Sequence, residues 1–116
     1  MKVDVLEAVG IDVAEGVKRF SGREDLYSKY LFKFAEDQNF QQCREDMKTG
    51  DIESAFRHAH ALKGITGNLS MNRFYKHLYD VVEALRAGDG EHAKELFVNL
   101  EKEYDEVIDA IEASKD

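Results

Sequence analysis

Residues 51–69 read DIESAFRHAHALKGITGNL, and the reading of this stretch decides the fold. Ile52, Ala55, Phe56, Ala59, Leu62 and Leu69 recur at helical spacing and line one side of an α-helix with apolar side chains. Asp51, just after the Thr49-Gly50 turn, supplies the N-cap. An amphipathic helix draws most of its stability from the covering of its apolar side, so neighbouring segments must supply partners.

They do so in both directions along the chain. Downstream, Ser70-Met71-Asn72 forms a short turn, and Arg73 to Ala87 predicts a helix through Phe74, Leu78, Val81 and Leu85. Gly88-Asp89-Gly90 interrupts it. A last helix then runs from Glu91 to about Ala113, with Ala93, Leu96, Phe97, Leu100, Tyr104, Val107, Ile108 and Ile111 facing inward. Upstream, Phe40, Cys43 and Met47 share one helical face. Leu26, Tyr30, Leu31 and Phe34 share another, and the mismatch predicts a break near Asp37-Gln38-Asn39. Before these, Val3 to Ala8 makes a short amphipathic turn ended by Gly10. Asp12 then caps a second short helix, Val13 to Phe20, closed by Ser21-Gly22. With short loops, no strand pattern, no repeat and no proline, the expected fold is all-α. It is an up-and-down four-helix bundle over residues 23–114, preceded by short helices in 1–22, and the whole chain 1–116 forms one domain.

Composition narrows the function classes. Among 116 residues, 24 acids outnumber 16 Lys and Arg, for a net charge of −8, which argues against nucleic-acid or anionic-lipid partners. The single cysteine, Cys43, excludes an internal disulfide framework and multi-cysteine zinc sites, and is expected to be buried. Asp4, Glu7 and Asp12 stand where a signal peptide needs an apolar run. A cytoplasmic, monomeric protein is expected, and the Met1 start and self-contained length suggest a free-standing one.

The chemistry concentrates on the central helix. Each residue turns by about 100°, so His60 lies about 100° from Ala59, at the edge of the core face. Lys63, Gly64 and Gly67 follow His60 along the same side. Two helical glycines cost roughly 1 kcal/mol each relative to Ala, a cost that makes sense where another surface must approach the histidine. Close helix–helix packing is the alternative account of both. From Ser54 to Tyr79 there is no Asp or Glu, whereas Arg57, Lys63, Arg73 and Lys76 fall inside that window with His58, His60 and His77. This mildly basic strip in an acidic chain is suited to an anionic partner.

Ala59-His60-Ala61-Leu62-Lys63-Gly64, followed by Gly67 and Asn68-Leu69, resembles the His-x-x-Lys-Gly signature of histidine-containing phosphotransfer domains, over nearly the whole chain. The resemblance implies a four-helix bundle whose exposed histidine exchanges a phosphoryl group with aspartates of receiver domains. These belong to response regulators or hybrid sensor histidine kinases in two-component signalling. It implies His60 as the phosphorylated residue and Lys63 as the cation beside the phosphoryl oxygens, with Gly64 and Gly67 giving clearance for docking. No cofactor is implied for this chain, because the metal ion belongs to the receiver, and no kinase or phosphatase activity of its own is implied. Two positions depart from the pattern: Ser70 stands where many members have glycine, and Val82 where many place an amide near the histidine.

Such a reaction needs little apparatus. Phosphoryl transfer passes through a loose transition state stabilised mainly by positioning and charge, and an ordinary imidazole is largely neutral and nucleophilic near pH 7. Arg57 and an apolar residue leaving the core would complete the docking surface. Of Tyr30, Phe32 and Phe34, one must leave the buried stripe, and Phe32 is the expected one. His58, about 160° from His60, and His92 read as ordinary helix residues, with His77 expected nearest the site. The alternatives are a helical adaptor without phosphotransfer and a metal-binding bundle. The second lacks the Glu-x-x-His pairs that di-metal bundles use.

Overall fold

A computed structural model describes residues 1–116 as seven helices and no strands. They are α1 (Val3–Glu7), α2 (Val13–Arg19), α3 (Glu24–Phe34), α4 (Asn39–Thr49), α5 (Ile52–Asn68), α6 (Asn72–Arg86) and α7 (Gly90–Ala113). Both expected aspartate caps form as local chemistry dictates, and Asp89 adds a third. The carboxylates of Asp12, Asp51 and Asp89 accept from the backbone N–H groups of Glu15, Ser54 and His92 at 3.0, 3.1 and 3.1 Å. Gly50, at φ +80°, turns the chain out of α4 in the left-handed conformation that glycine adopts without strain.

Helices α5, α6 and α7 run up and down in succession, and their long axis sets the 39 Å length of the molecule. The fourth side of the bundle is a rod broken in two. Helix α4 covers the N-terminal half of α5, where the Cys43 thiol donates to the Ala55 carbonyl at 3.7 Å and the Ser54 hydroxyl to Asp46 at 2.8 Å. Helix α3 continues along the C-terminal half, where the Tyr27 hydroxyl donates to the Leu69 carbonyl at 2.7 Å. The break falls at the expected residues. Asp37 caps the start of α4 by accepting from the Asn39 N–H at 2.8 Å.

The rod meets α7 through stacked rings. Phe40 lies parallel to Tyr104 with centroids 3.9 Å apart and to Phe97 at 5.2 Å, and Phe34 reaches Tyr104 at 6.2 Å. Arg44 closes the same seam with a 2.9 Å ion pair to Glu101. The buried core joins Leu31, Phe40, Leu62, Phe74, Leu78, Val81, Leu100, Val107 and Ile111. Cys43 lies within it, and burial raises its thiol pKa to about 12.

Two expectations about α3 are corrected. Its buried positions are Tyr27, Leu31 and Phe34, whereas Leu26 is only partly covered. Tyr30, at 45% exposure, is the aromatic that leaves the core. Phe32 is half-buried against the core, with the Lys115 ammonium 5.5 Å from its ring centroid, at the end of the bundle where α7 finishes. Leu96 and Ile108 of α7 and Ile52 and Phe56 of α5 are likewise half-buried rather than core residues. No helix is long and apolar enough to cross a membrane.

Candidate functional site

The buried stripe of α5 comprises Ala55, Ala59, Leu62, Thr66 and, just past the helix end, Leu69. Its centre lies beyond Ala59, which carries His60 about 140° away instead of the 100° expected from Ala59 alone. His60 is therefore exposed on the outer face, and not at the edge of the core. Its ring has one aromatic neighbour, Phe56 one turn earlier, with centroids 5.6 Å apart and planes inclined at 34°. Arg57 is exposed on the same face, loosely paired with Glu53 at 3.7 Å.

One flank of this face is closed by α6. The Lys63 ammonium sits 5.0 Å above the Tyr79 ring centroid. A Cβ on Gly67 would meet the Tyr75 ring at 3.0 Å, so that glycine admits an aromatic ring from α6. That contact favours the helix–helix packing account of Gly67 over clearance for a docking surface. Further along, the Arg86 guanidinium lies 4.9 Å from the Phe56 centroid and donates to Glu83 at 2.9 Å.

The other flank is open. A Cβ on Gly64 would meet nothing within 4 Å. Beside it lies a cleft of about 560 Å³ lined by Phe20, Tyr30, Phe34, Ile65 and Leu69, with Lys33, Asp37 and Asn68 at its polar edges. The cleft follows from the broken rod, since α3 stands off the part of α5 where Gly64 lies. Tyr30, and not Phe32, supplies the aromatic at this surface, because Phe32 turns to another side of α3, against the core and Lys115.

The remaining candidates separate in space. His58 Nδ1 lies 3.0 Å from the Asn39 side-chain oxygen on the α4 side. His77 is not near His60; its Nδ1 lies 2.7 Å from Glu103 of α7. His92 lies 4.0 Å from Glu95 on the surface. Arg73 reaches back to the Ala8 carbonyl at 3.3 Å and serves the N-terminal turn. The window without acids is thus not acid-free in space, since Glu53, Glu83 and Glu103 approach it from outside. No three His, Cys, Asp or Glu side chains converge as a metal cluster would require.

The two departures have physical readings. Ser70 is fully buried at φ +55°, a conformation that favours glycine, and it is held there by Arg19, whose Nε donates to its hydroxyl at 3.0 Å. Its carbonyl also accepts from the Asp12 N–H at 2.9 Å, so the strained residue joins the start of α2 to the end of α5. Val82 is 0% exposed and part of the core, so it presents nothing to the histidine. The polar neighbours that sequence reasoning missed are Glu83 and Arg86, whose i,i+3 spacing was the available signal.

An exposed histidine with a lysine one turn on, a bare glycine beside it and a four-helix frame now stand together. A family model, the Hpt domain, matches residues 31–112, from the second half of α3 almost to the end of α7. The chain belongs to the Hpt domain family. Membership implies phosphotransfer in two-component signalling, performed by a carrier that response-regulator receiver or kinase domains engage. Neither the curated proteins nor the solved structures gave a match.

Proposed function

We propose that His60 is the phosphoryl carrier of this domain and that it exchanges the group with the aspartate of a receiver domain docked over Gly64 and the adjoining cleft. The observation that carries the reading is the asymmetry around His60. Of the two glycines beside it, Gly64 opens onto free surface next to an apolar cleft with exposed Tyr30 at its rim. Such a mixed apolar and polar patch suits a transient protein partner.

In the forward step, a lone pair on one ring nitrogen of neutral His60 attacks the phosphorus of an aspartyl phosphate. The P–N bond forms as the P–O bond to the aspartate breaks, and the carboxylate leaves with the electron pair. The other ring nitrogen keeps its proton, so no proton needs to move. Lys63 offers a charge to the phosphoryl oxygens as a flexible point cation. The receiver contributes the metal ion and the aspartate, and this chain acts as a monomeric carrier in the cytoplasm, without kinase or phosphatase activity of its own.

The test is transfer from phosphorylated receiver domains to the wild-type chain and to His60→Gln. The expected label on the wild type is acid-labile and alkali-stable, and absent from the variant. A His60→Gln chain that labels at the wild-type rate ends the proposal.

A further inference from the structure

We propose that Glu83 is the resting counter-ion of the phosphoryl site: it engages the cations beside His60 in the empty state and makes the phosphorylated state a readily donated one. The proposal rests on His60 as the carrier.

The placement follows from the register of α5 against α6. Three contacts pair the helices in antiparallel order: Gly67 with Tyr75, Lys63 with Tyr79, and Phe56 with Arg86. Continued evenly, that register sets residue 82 opposite 60 and residue 83 opposite 59. Val82 turns into the core. Glu83, about 100° further round, emerges on the outer side at the level of His60.

There the carboxylate gathers the charged groups around the histidine. It accepts from Arg86 Nε at 2.9 Å, and Arg86 covers the Phe56 ring that the His60 ring approaches. Its carboxyl is held below the usual range, first by the Arg86 hydrogen bond, with Tyr79 and the Lys63 ammonium adding to it. Arg86 thus pairs directly with Glu83, and the Lys63 ammonium, held over Tyr79, acts on the same carboxylate from farther off.

A phosphoryl group on His60 brings more negative charge into the same neighbourhood. It competes with Glu83 for Lys63 and Arg86, and it meets Glu83 as a like charge. The Glu83–Arg86 pair is half-exposed, and pairs of that kind bind weakly enough to exchange partners. The cations can thus turn to the phosphoryl oxygens, whereas the carboxylate remains as a repulsive neighbour that favours departure of the group.

The test uses phosphoramidate, a small donor whose P–N bond to ammonia breaks as the bond to the imidazole forms, so no protein partner is needed. Phosphorus NMR gives the steady-state phosphohistidine occupancy and, after donor removal, its half-life. Glu83→Gln should lengthen the half-life roughly fivefold and raise occupancy, the size expected for removing one like charge near a surface. Arg86→Ala should shorten it, having lost a cation and left Glu83 unpaired. Asp80→Asn removes one negative charge elsewhere on α6 and should match the wild type. Unchanged circular dichroism keeps folding out of the comparison. A Glu83→Gln half-life equal to wild type, or an equal gain from Asp80→Asn, overturns the role of Glu83 while leaving His60 as carrier. A folded wild-type chain that takes no label removes both readings.

Discussion

Gly64 and Gly67 lie close together on α5, yet they serve different neighbours. A side chain at Gly64 would enter open space beside the α3 cleft, whereas one at Gly67 would meet Tyr75 of α6 at 3.0 Å. The same contrast separates the two flanks of the helix. On the α6 side, Tyr75, Tyr79 and Arg86 fit against Gly67, Lys63 and Phe56. On the α3 side, the break between Phe34 and Asn39 leaves Tyr30 and Ile65 facing a cleft. One flank fixes the charges around His60, and the other leaves room beside it. A residue type read from sequence does not say which of these it serves; the helix across from it does.

The largest effect expected is the loss of chemistry itself. His60→Gln should take no measurable phosphoryl label from any receiver while keeping its helix content, because the exposed ring supports little of the core. Gln retains the size and polarity of the side chain but offers no nucleophilic ring nitrogen. Retained label would move the chemistry away from the face between the two flanks.

The packed flank is broken most directly at Gly67. Gly67→Gln must displace the Tyr75 ring from its seat, which should cost about 1–3 kcal/mol despite the better helix propensity of Gln. The melting temperature should fall by several degrees, and the fraction that stays folded should transfer at close to the wild-type rate. A stable variant with blocked transfer would return Gly67 to the docking surface.

Much of this arrangement was legible in the sequence, for reasons that can be named. The caps at Asp12 and Asp51 need only a short polar side chain three residues before a free N–H, and both form. The break before Asn39 showed as a change of apolar face, which is again local. The misreadings concern partners far along the chain. Phe32 stays inward because the core and Lys115 meet it, and Tyr30 leaves because Tyr27 takes the buried place beneath Leu69. His77 turns to Glu103, a partner 26 residues away, and spacing within one helix could not reveal it. His60 was placed too near the core because one alanine stood for the centre of a stripe that also holds Leu62, Thr66 and Leu69. The acid-free window misled in the same manner, since a gap in sequence is filled in space by Glu83 and Glu103 from other turns and helices.

Lys63 sharpens the comparison from the packed side. Its ammonium rests against the Tyr79 ring, and its backbone lies one turn along α5 from His60. Lys63→Ala should leave the fold intact and raise the transfer barrier by about 1–3 kcal/mol, the scale of one charged hydrogen bond. Single-turnover rates against a phosphorylated receiver give the value. A loss confined to binding, with an unchanged rate at saturating receiver, would make Lys63 part of the docking surface and not of the charge stabilisation.

The smallest effect tests the open flank. Gly64→Ala adds one methyl group where nothing lies within 4 Å, so the helix should gain up to about 1 kcal/mol from propensity alone. The same methyl would stand on the surface that the receiver is proposed to approach, within one turn of His60. Transfer should then slow only a few-fold, and the loss should appear at low receiver concentration and vanish near saturation, because contact is impeded and the reacting groups are not. The longer Gly64→Gln should keep the stability gain and deepen the docking loss. Gly67→Ala is the matched comparison, since its methyl presses on Tyr75 at 3.0 Å and should forgo much of the gain seen at Gly64. Thermal melts of the two alanine variants, read beside their transfer rates, set stability against docking at positions three residues apart. If Gly64→Ala is stabilised and transfers at the wild-type rate across all receiver concentrations, the bare backbone at Gly64 has no part in docking, and the receiver must approach His60 from the Tyr79 side.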